Sequence, residues 1–183
     1  NNVNLEIDDA RTFIKNSKNE YDVIVYGLLD SQSNLSSKGG IRLDSYVYTV
    51  EALTEAKNKL KKNGFIFISF FVQTPEIGYK IFGMLEKATG IKPIVLKSKT
   101  NSRYIFIGAK KDLEIQIDKL KYFKINKEFN GENFYDIDLS TDDWPFLYMP
   151  SKVYPFTYLS IIIVLLSFSI YFLNKLIKIK TSN

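Results

Sequence analysis

The sequence has no cysteine and no histidine among its 183 residues. Their absence excludes disulfides, thiolate metal sites, cysteine nucleophiles and histidine general bases. Any acid–base chemistry must therefore come from aspartate, glutamate, tyrosine or lysine. Hydrophobic residues make up 45% of the chain, which is enough to form a core, so we do not expect most of the chain to be disordered.

The net charge of +5 is concentrated near the C-terminus. Residues 1–152 contain 22 Lys and Arg against 20 Asp and Glu, and the other three positive charges are Lys175, Lys178 and Lys180. The near balance in residues 1–152 argues against a nucleic-acid surface. We interpret residues 175–183 as a basic tail that follows a membrane segment.

That segment, residues 153–174, carries no charge. As a helix, its 22 residues at about 1.5 Å each span roughly 33 Å, enough for a hydrocarbon core of ~30 Å. Twelve of the residues from 156 to 173 are Leu, Ile, Phe or Val. We predict a transmembrane helix over 153–174. The alternative, a buried amphipathic core helix, needs a polar face that this segment lacks.

Residues 1–110 alternate between strand-like and helix-like patterns. The β-branched run Val23-Ile24-Val25 predicts a strand that is buried on both faces, as in parallel sheets. Alternation or apolar runs predict further strands, the last two forming an antiparallel hairpin at the sheet edge. These further strands lie at residues 3–7, 65–71, 93–97 and 103–109.

Helices are predicted between these strands, at residues 10–18, at 50–62 and from 75 to Gly90. Thr49 is the expected N-cap of the second helix, and Asn63-Gly64 is its expected stop. The resulting order predicts a doubly wound α/β sheet. Residues 111–152 are predicted to form a connecting segment, in which 113–117 fits either a strand or a short helix.

The chain begins Asn-Asn-Val without Met, and no Gly-x-Gly turn precedes Asp9. Nucleotide-binding sheets normally begin with a strand and such a turn. We therefore expect residues 1–110 to be the second half of an α/β domain, in an excerpt or a truncated product of a longer chain.

Several segments, taken together and in order, carry a family resemblance. They are Asp9-Ala10-Arg11, residues 21–25, residues 42–49, the helix ending at residues 60–64, and Thr141-Asp142-Asp143-Trp144 with the four residues that follow. They resemble the polyamine aminopropyltransferase (spermidine synthase) family, and most closely its bacterial membrane-embedded relatives. The resemblance covers about residues 3–173. It implies the fold of class I S-adenosylmethionine-dependent methyltransferases and aminopropyl transfer from decarboxylated S-adenosylmethionine to a diamine such as putrescine.

The resemblance also implies roles for single residues. Asp9, followed by Ala10, matches a motif that contacts the adenine amino group; alternatively, Asp9 caps the following helix. Asp30 matches the second Asp of an Asp-x-x-Asp motif and would hold a substrate ammonium; alternatively, it is an ordinary loop residue. The first Asp of that motif, which takes the proton of the attacking amine, corresponds to Gly27, so the usual base is absent.

Other candidate residues have two interpretations each. Tyr46 and Tyr48 could line a cation pocket, although tyrosines at alternate positions more often pack against a helix. Asp142 and Asp143 either face the active cleft or cap a turn before Pro145. We predict no metal and no nucleic-acid partner. The expected partners are a lipid bilayer, a small polyamine and (decarboxylated) S-adenosylmethionine as a substrate, with self-association left open.

Two other functions remain open. Gly27 and the missing Gly-rich turn fit a catalytically inactive, membrane-tethered pseudoenzyme or interaction domain. The fold also fits a methyltransferase with another acceptor. The positive-inside rule places the basic tail in the cytoplasm and the domain outside. The resemblance implies a cytoplasmic domain, which we expect, with one span here and further spans in a longer parent.

Overall fold

The computed structural model describes residues 3–27, 46–112, 119–129, 137–154 and 156–181. The chain divides into two compact units, residues 1–151 and 152–183. In chain order the described elements are α1 (Ala10–Asn16), β1 (Tyr21–Gly27), α2 (Val50–Asn58), β2 (Leu60–Phe71), α3 (Pro75–Thr89), β3 (Ile94–Ser98), β4 (Arg103–Ala109), β5 (Phe123–Ile125) and α4 (Phe156–Thr181). The predicted features at Asp30, in the loop 31–40 and at 113–117 lie outside the described residues.

The first unit is a mixed α/β structure, as the sequence predicts. Its five-stranded sheet has the order β1-β2-β4-β3-β5. β1 and β2 are parallel, and the chain passes through α2 between them. The other neighbours are antiparallel. The carboxyl ends of β1, β2 and β3 therefore share one end of the sheet.

The predicted burial of β1 on both faces is wrong. Ile24 and Tyr26 point towards the core, and Tyr26 is only 2% exposed. Val23 and Val25, on the other face, are 41% and 61% exposed. The physical reason is position: among the described strands β1 pairs only with β2, so it is an edge strand.

The predicted strand at residues 3–7 does not form. Val3, Leu5 and Ile7 are 82–95% exposed, and their backbone belongs to no strand. Alternating apolar residues form a strand only where a neighbouring strand takes their hydrogen bonds. Among the described residues, no such neighbour lies beside them.

The second helix is shorter than predicted. α2 begins after its N-cap Thr49, as expected, but ends at Asn58 instead of continuing to residue 62. Leu60 instead pairs with Tyr21 and is fully buried. Gly64 is not a helix stop, because it lies within β2. A Cβ on Gly64 would lie 2.8 Å from the carbonyl oxygen of Tyr21, so this glycine allows close strand packing.

The third helix and the hairpin form as predicted. α3 begins at Pro75 and ends at Thr89, and its C-cap Gly90 has the left-handed φ of 79° that glycine tolerates best. β3 and β4 form the antiparallel hairpin. Its expected place at the sheet edge is wrong, because β4 lies next to β2 and the short strand β5 pairs outside β3.

The main core lies on the face that α1, α2 and α3 cover. Leu53, Ile66, Ile81 and Phe106 are fully buried there. The opposite face has a smaller buried cluster formed by Leu96, Ile105 and Ile107. The expected doubly wound arrangement, with helices on both faces, is therefore not seen in the part of the chain that the structure describes.

The second unit contains α4. Residues 156–177 form a helix that is long and apolar enough to cross a membrane, and none of its apolar window is buried. The Ser160 and Ser167 hydroxyls donate to the carbonyl oxygens of Thr157 and Ile163, at 2.9 and 2.8 Å. These two serines thus satisfy their donors within the helix, as a hydrocarbon environment requires.

Candidate functional site

A paired guanidinium and carboxylate connect two distant parts of the first unit. Arg11, at the start of α1, donates from Nη1 and Nη2 to Oδ1 and Oδ2 of Asp142, at 2.5 and 2.6 Å. The two side chains are 18% and 39% exposed. Such a two-pronged contact fixes both position and orientation. It joins the Asp9-Ala10-Arg11 segment to the segment around Asp142.

Arg11 has further acceptors on and before α2. Its Nε and Nη2 atoms donate to the Glu55 carboxylate at 3.3 and 3.4 Å. Nη1 also donates to the backbone carbonyl of Tyr46, at 3.2 Å. The guanidinium therefore lies between two carboxylates and a carbonyl oxygen, an arrangement suited to a permanent cation.

The N-terminus of α2 holds Asp142 from the other side. Thr49, which is fully buried, donates its hydroxyl to Oδ1 of Asp142 at 2.8 Å and accepts from the amide of Ala52 at 3.1 Å. The Asp142 amide donates to Oε2 of Glu51 at 3.0 Å. One N-cap threonine thus both stabilises the helix and orients the carboxylate.

These contacts set the ionisation of the pair. The hydrogen bond from Arg11 lowers the pKa of Asp142 below its ordinary value; burial opposes this, and the Thr49 hydroxyl adds to it. The hydrogen bond from Asp142 raises the pKa of Arg11 further above its ordinary value. Asp142 is therefore ionised at neutral pH and poorly suited to accept a proton.

Two tyrosines pack in the core at the C-terminal end of β1. Tyr26 and Tyr48 have ring centroids 6.1 Å apart, and Tyr48 contacts Phe70 edge-on at 5.7 Å. Burial raises the pKa of Tyr26 above its ordinary value, and the neighbouring Tyr48 adds to this. Tyr26 therefore stays protonated at physiological pH. The Tyr48 ring is a core residue, 3% exposed, as the packing alternative expects.

Asp9 is the N-cap of α1. Its carboxylate accepts a hydrogen bond from the Thr12 amide at 2.8 Å, which is the capping alternative that the sequence left open. Asp9 is exposed and Ala10 is half-buried against the core. Because an N-cap carboxylate retains other lone pairs, its predicted contact with adenine stays a prediction. The same holds for Asp30, which lies outside the described residues.

Gly27, at the position of the expected base, is the last residue of β1. A Cβ built on it would meet no heavy atom of the described residues within 4 Å, and its φ lies outside the left-handed region. The described part of the chain therefore leaves space for a larger side chain here.

Sequence reasoning did not identify Lys80 on α3 as important. Its side chain is 1% exposed, and its ammonium donates to the carbonyl oxygens of Phe146 and Met149 at 2.7 and 2.6 Å. Lys80 thus fixes the segment after Asp142 to α3. The available signal was its position: Lys80 falls between Ile77 and Ile81, on the buried face of the helix.

Within the described ranges, no group of three or more Asp or Glu could hold a metal ion. No protein-family model matches the sequence, and no curated protein matches it. The family resemblance therefore depends on the segments quoted above.

Proposed function

We propose that this chain is part of a membrane-bound spermidine-synthase-like protein that transfers an aminopropyl group from decarboxylated S-adenosylmethionine to a diamine such as putrescine. One observation carries the proposal. Segments that bear the resemblance, although up to 131 positions apart, meet in one hydrogen-bonded cluster made by Arg11, Thr49 and Asp142. Convergence on one cluster supports the interpretation that these segments belong to one shared site.

The sheet supports the finer assignment of the fold. β1, α2 and β2 form a parallel crossover unit that is followed by an antiparallel hairpin. β1 has the apolar composition of an interior strand, yet it pairs only with β2 among the described strands, and Val25 is 61% exposed. Both features fit the second half of a methyltransferase-like sheet whose first half pairs along β1.

In this proposal, Asp9 and Ala10 contact adenine, and Asp30 and Tyr46 bind an ammonium of the diamine, whereas the buried Tyr48 belongs to the core. The attacking nitrogen of the diamine is protonated at neutral pH, so it must first lose a proton to a base. It then forms a bond to the aminopropyl carbon while the carbon–sulfur bond breaks, and the sulfur keeps the electron pair and leaves as a neutral thioether. Asp142 is engaged by Arg11, so the base is to be sought elsewhere.

The second candidate is a membrane-tethered pseudoenzyme, which Gly27 favours. Among the residues that the structure describes, nothing occupies the space that a carboxylate would need at this position, and Gly27 carries none. A chain that kept the Arg11–Asp142 cluster while lacking the base would retain the fold and a binding role without turnover. In both candidates α4 anchors the chain to a bilayer, and the first unit is cytoplasmic, where the cofactor is made.

Calorimetric titration tests the proposal on protein purified from its native membranes, so that any longer form is retained. We expect decarboxylated S-adenosylmethionine to bind, putrescine to bind after it, and spermidine to form. Binding of neither compound would refute the proposal. Gly27→Asp, with Gly27→Ala as the matched control, separates the candidates. Activity that appears only in Gly27→Asp identifies a pseudoenzyme, whereas turnover by the unchanged protein excludes one.

A further inference from the structure

A cavity of about 390 Å³ lies beyond the carboxyl end of β2, separate from the Arg11 cluster. Val72, at the end of β2, and Tyr79, on α3, form part of its lining. The hairpin contributes Lys97 and Tyr104, and the chain after β5 contributes Glu128 and Phe129. The volume is in the range of small-molecule sites, which in α/β sheets lie at this end of the strands.

Three aromatic rings form one side of the cavity. Phe129 stands edge-on to Tyr79, with centroids 4.9 Å apart at 83°, and to Tyr104, at 5.4 Å and 69°. Phe129 and Tyr104 are 5% and 6% exposed, so they are fixed by the core. The ring of Phe129 lies directly against Gly78, where no Cβ would fit. The aromatic wall is therefore built into the fold before any ligand binds.

The same cavity carries one positive and one negative side chain. The Lys97 ammonium lies 5.2 Å from the centroid of the Tyr104 ring, and a hydrogen bond with Tyr104 raises the pKa of Lys97. The Glu128 carboxylate accepts from the side-chain amide of Asn126 at 3.1 Å, and the Asn126 oxygen accepts from the Glu128 amide at 2.8 Å. Both charges are thus held in place beside the aromatic wall.

We propose that this cavity binds a small zwitterion with an aromatic or apolar body, such as a free aromatic α-amino acid. The anionic group of the ligand pairs with Lys97, its cationic group pairs with Glu128, and its body lies against Tyr79, Tyr104 and Phe129. A ligand of a single charge would pair with one side chain and desolvate the other without compensation. The proposal does not depend on aminopropyl transfer.

Three probes isolate each part of the ligand. L-phenylalanine has both charged groups, 3-phenylpropionate lacks the ammonium and 2-phenylethylamine lacks the carboxylate. Each is titrated calorimetrically into the full chain in lipid nanodiscs, and the heat with empty nanodiscs is subtracted. We expect L-phenylalanine to bind, and each single-charge probe to bind about tenfold more weakly because one charge-assisted hydrogen bond is lost.

Two variants assign the charges. Lys97→Gln should weaken the binding of L-phenylalanine and of 3-phenylpropionate and leave that of 2-phenylethylamine unchanged. Glu128→Gln should weaken the binding of L-phenylalanine and of 2-phenylethylamine only. Lys87→Gln, an exposed lysine on α3, is the matched control. Equal binding of all three probes, no binding of any, or equal effects of Lys87→Gln and Lys97→Gln would overturn the proposal.

Discussion

Arg11 and Asp142 are 131 positions apart, yet their side chains meet through two hydrogen bonds of 2.5 and 2.6 Å. The contact holds the connecting segment against the starts of α1 and α2. Because both of its carboxylate oxygens accept hydrogen bonds from Arg11, Asp142 is not available as a free base. Its role in this structure is to fix the position of other groups.

Asp142→Asn should destabilise the first unit by about 1–2 kcal/mol, between the values for exposed ion pairs and for buried charged hydrogen bonds. Chemical unfolding of the full chain in mild detergent measures this change. Asp143→Asn, at an exposed neighbour, is the control and should change stability little. A double-mutant cycle with Arg11→Gln should show positive coupling; strictly additive effects would mean that the pair contributes nothing.

The stability of the first unit should also depend on acid through Asp142. The folded-state pKa of this residue lies below its ordinary value of 3.8. The contribution of Asp142 to stability is therefore present above that value and is lost as the pH falls through the lower folded-state pKa. We expect Asp142→Asn to reduce the loss of unfolding free energy between pH 4 and pH 2. Identical pH profiles for the two proteins would contradict this assignment.

Lys80→Met keeps the length of the buried side chain and removes its donors to Phe146 and Met149. Leaving these partly buried carbonyl groups without Lys80 should cost about 2–4 kcal/mol. We also expect faster proteolysis in residues 146–149. Lys87→Met, at an exposed position of the same helix, should change neither measurement. Equal stability of the two variants would show that the two hydrogen bonds are dispensable.

Gly78→Ala should destabilise the chain by about 1–3 kcal/mol through overpacking, because the new Cβ would lie 2.4 Å from Cζ of Phe129. The matched control is Gly27→Ala, where the added methyl group would meet no atom of the described ranges within 4 Å. Phe129→Leu should relieve part of the cost when it is combined with Gly78→Ala. If the double variant is less stable than the sum of the two single effects predicts, the clash is not the cause.

Leu166→Arg should reduce membrane insertion of α4, since a central arginine costs about 2.5–3.5 kcal/mol where leucine is favourable. Asn174→Arg, near the end of the apolar window, should insert normally because its side chain can reach the interface. Carbonate extraction of membranes distinguishes inserted from released chains. Full retention of Leu166→Arg in the membrane fraction would argue against a spanning helix.

Local signals predicted the elements that they control. Pro75 and Gly90 set the ends of α3, and Thr49 sets the start of α2. Where tertiary contacts set the end of an element, the prediction from local sequence was wrong. The pairing of Leu60 with Tyr21 ends α2 before Asn63-Gly64 can act as a stop.

The candidate site shows the same division. Capping by Asp9 follows from local sequence, because the acceptor and the donor are three residues apart. The partner of Arg11 could not be predicted, because a single sequence does not show which distant carboxylate will reach it. Burial of Lys80 follows the helical period, but its acceptors lie 66 and 69 positions further on.

The open side of β1 has a practical consequence for anyone who shortens this protein. No described strand pairs with the outer edge of β1, so its backbone groups beside the exposed Val23 and Val25 are a template for strands of other molecules, and the only charged residue in this strand is Asp22. Removing α4 to gain solubility would leave that template in free solution. Such a product should self-associate as its concentration rises, and a charge at Val25 is the first remedy to try.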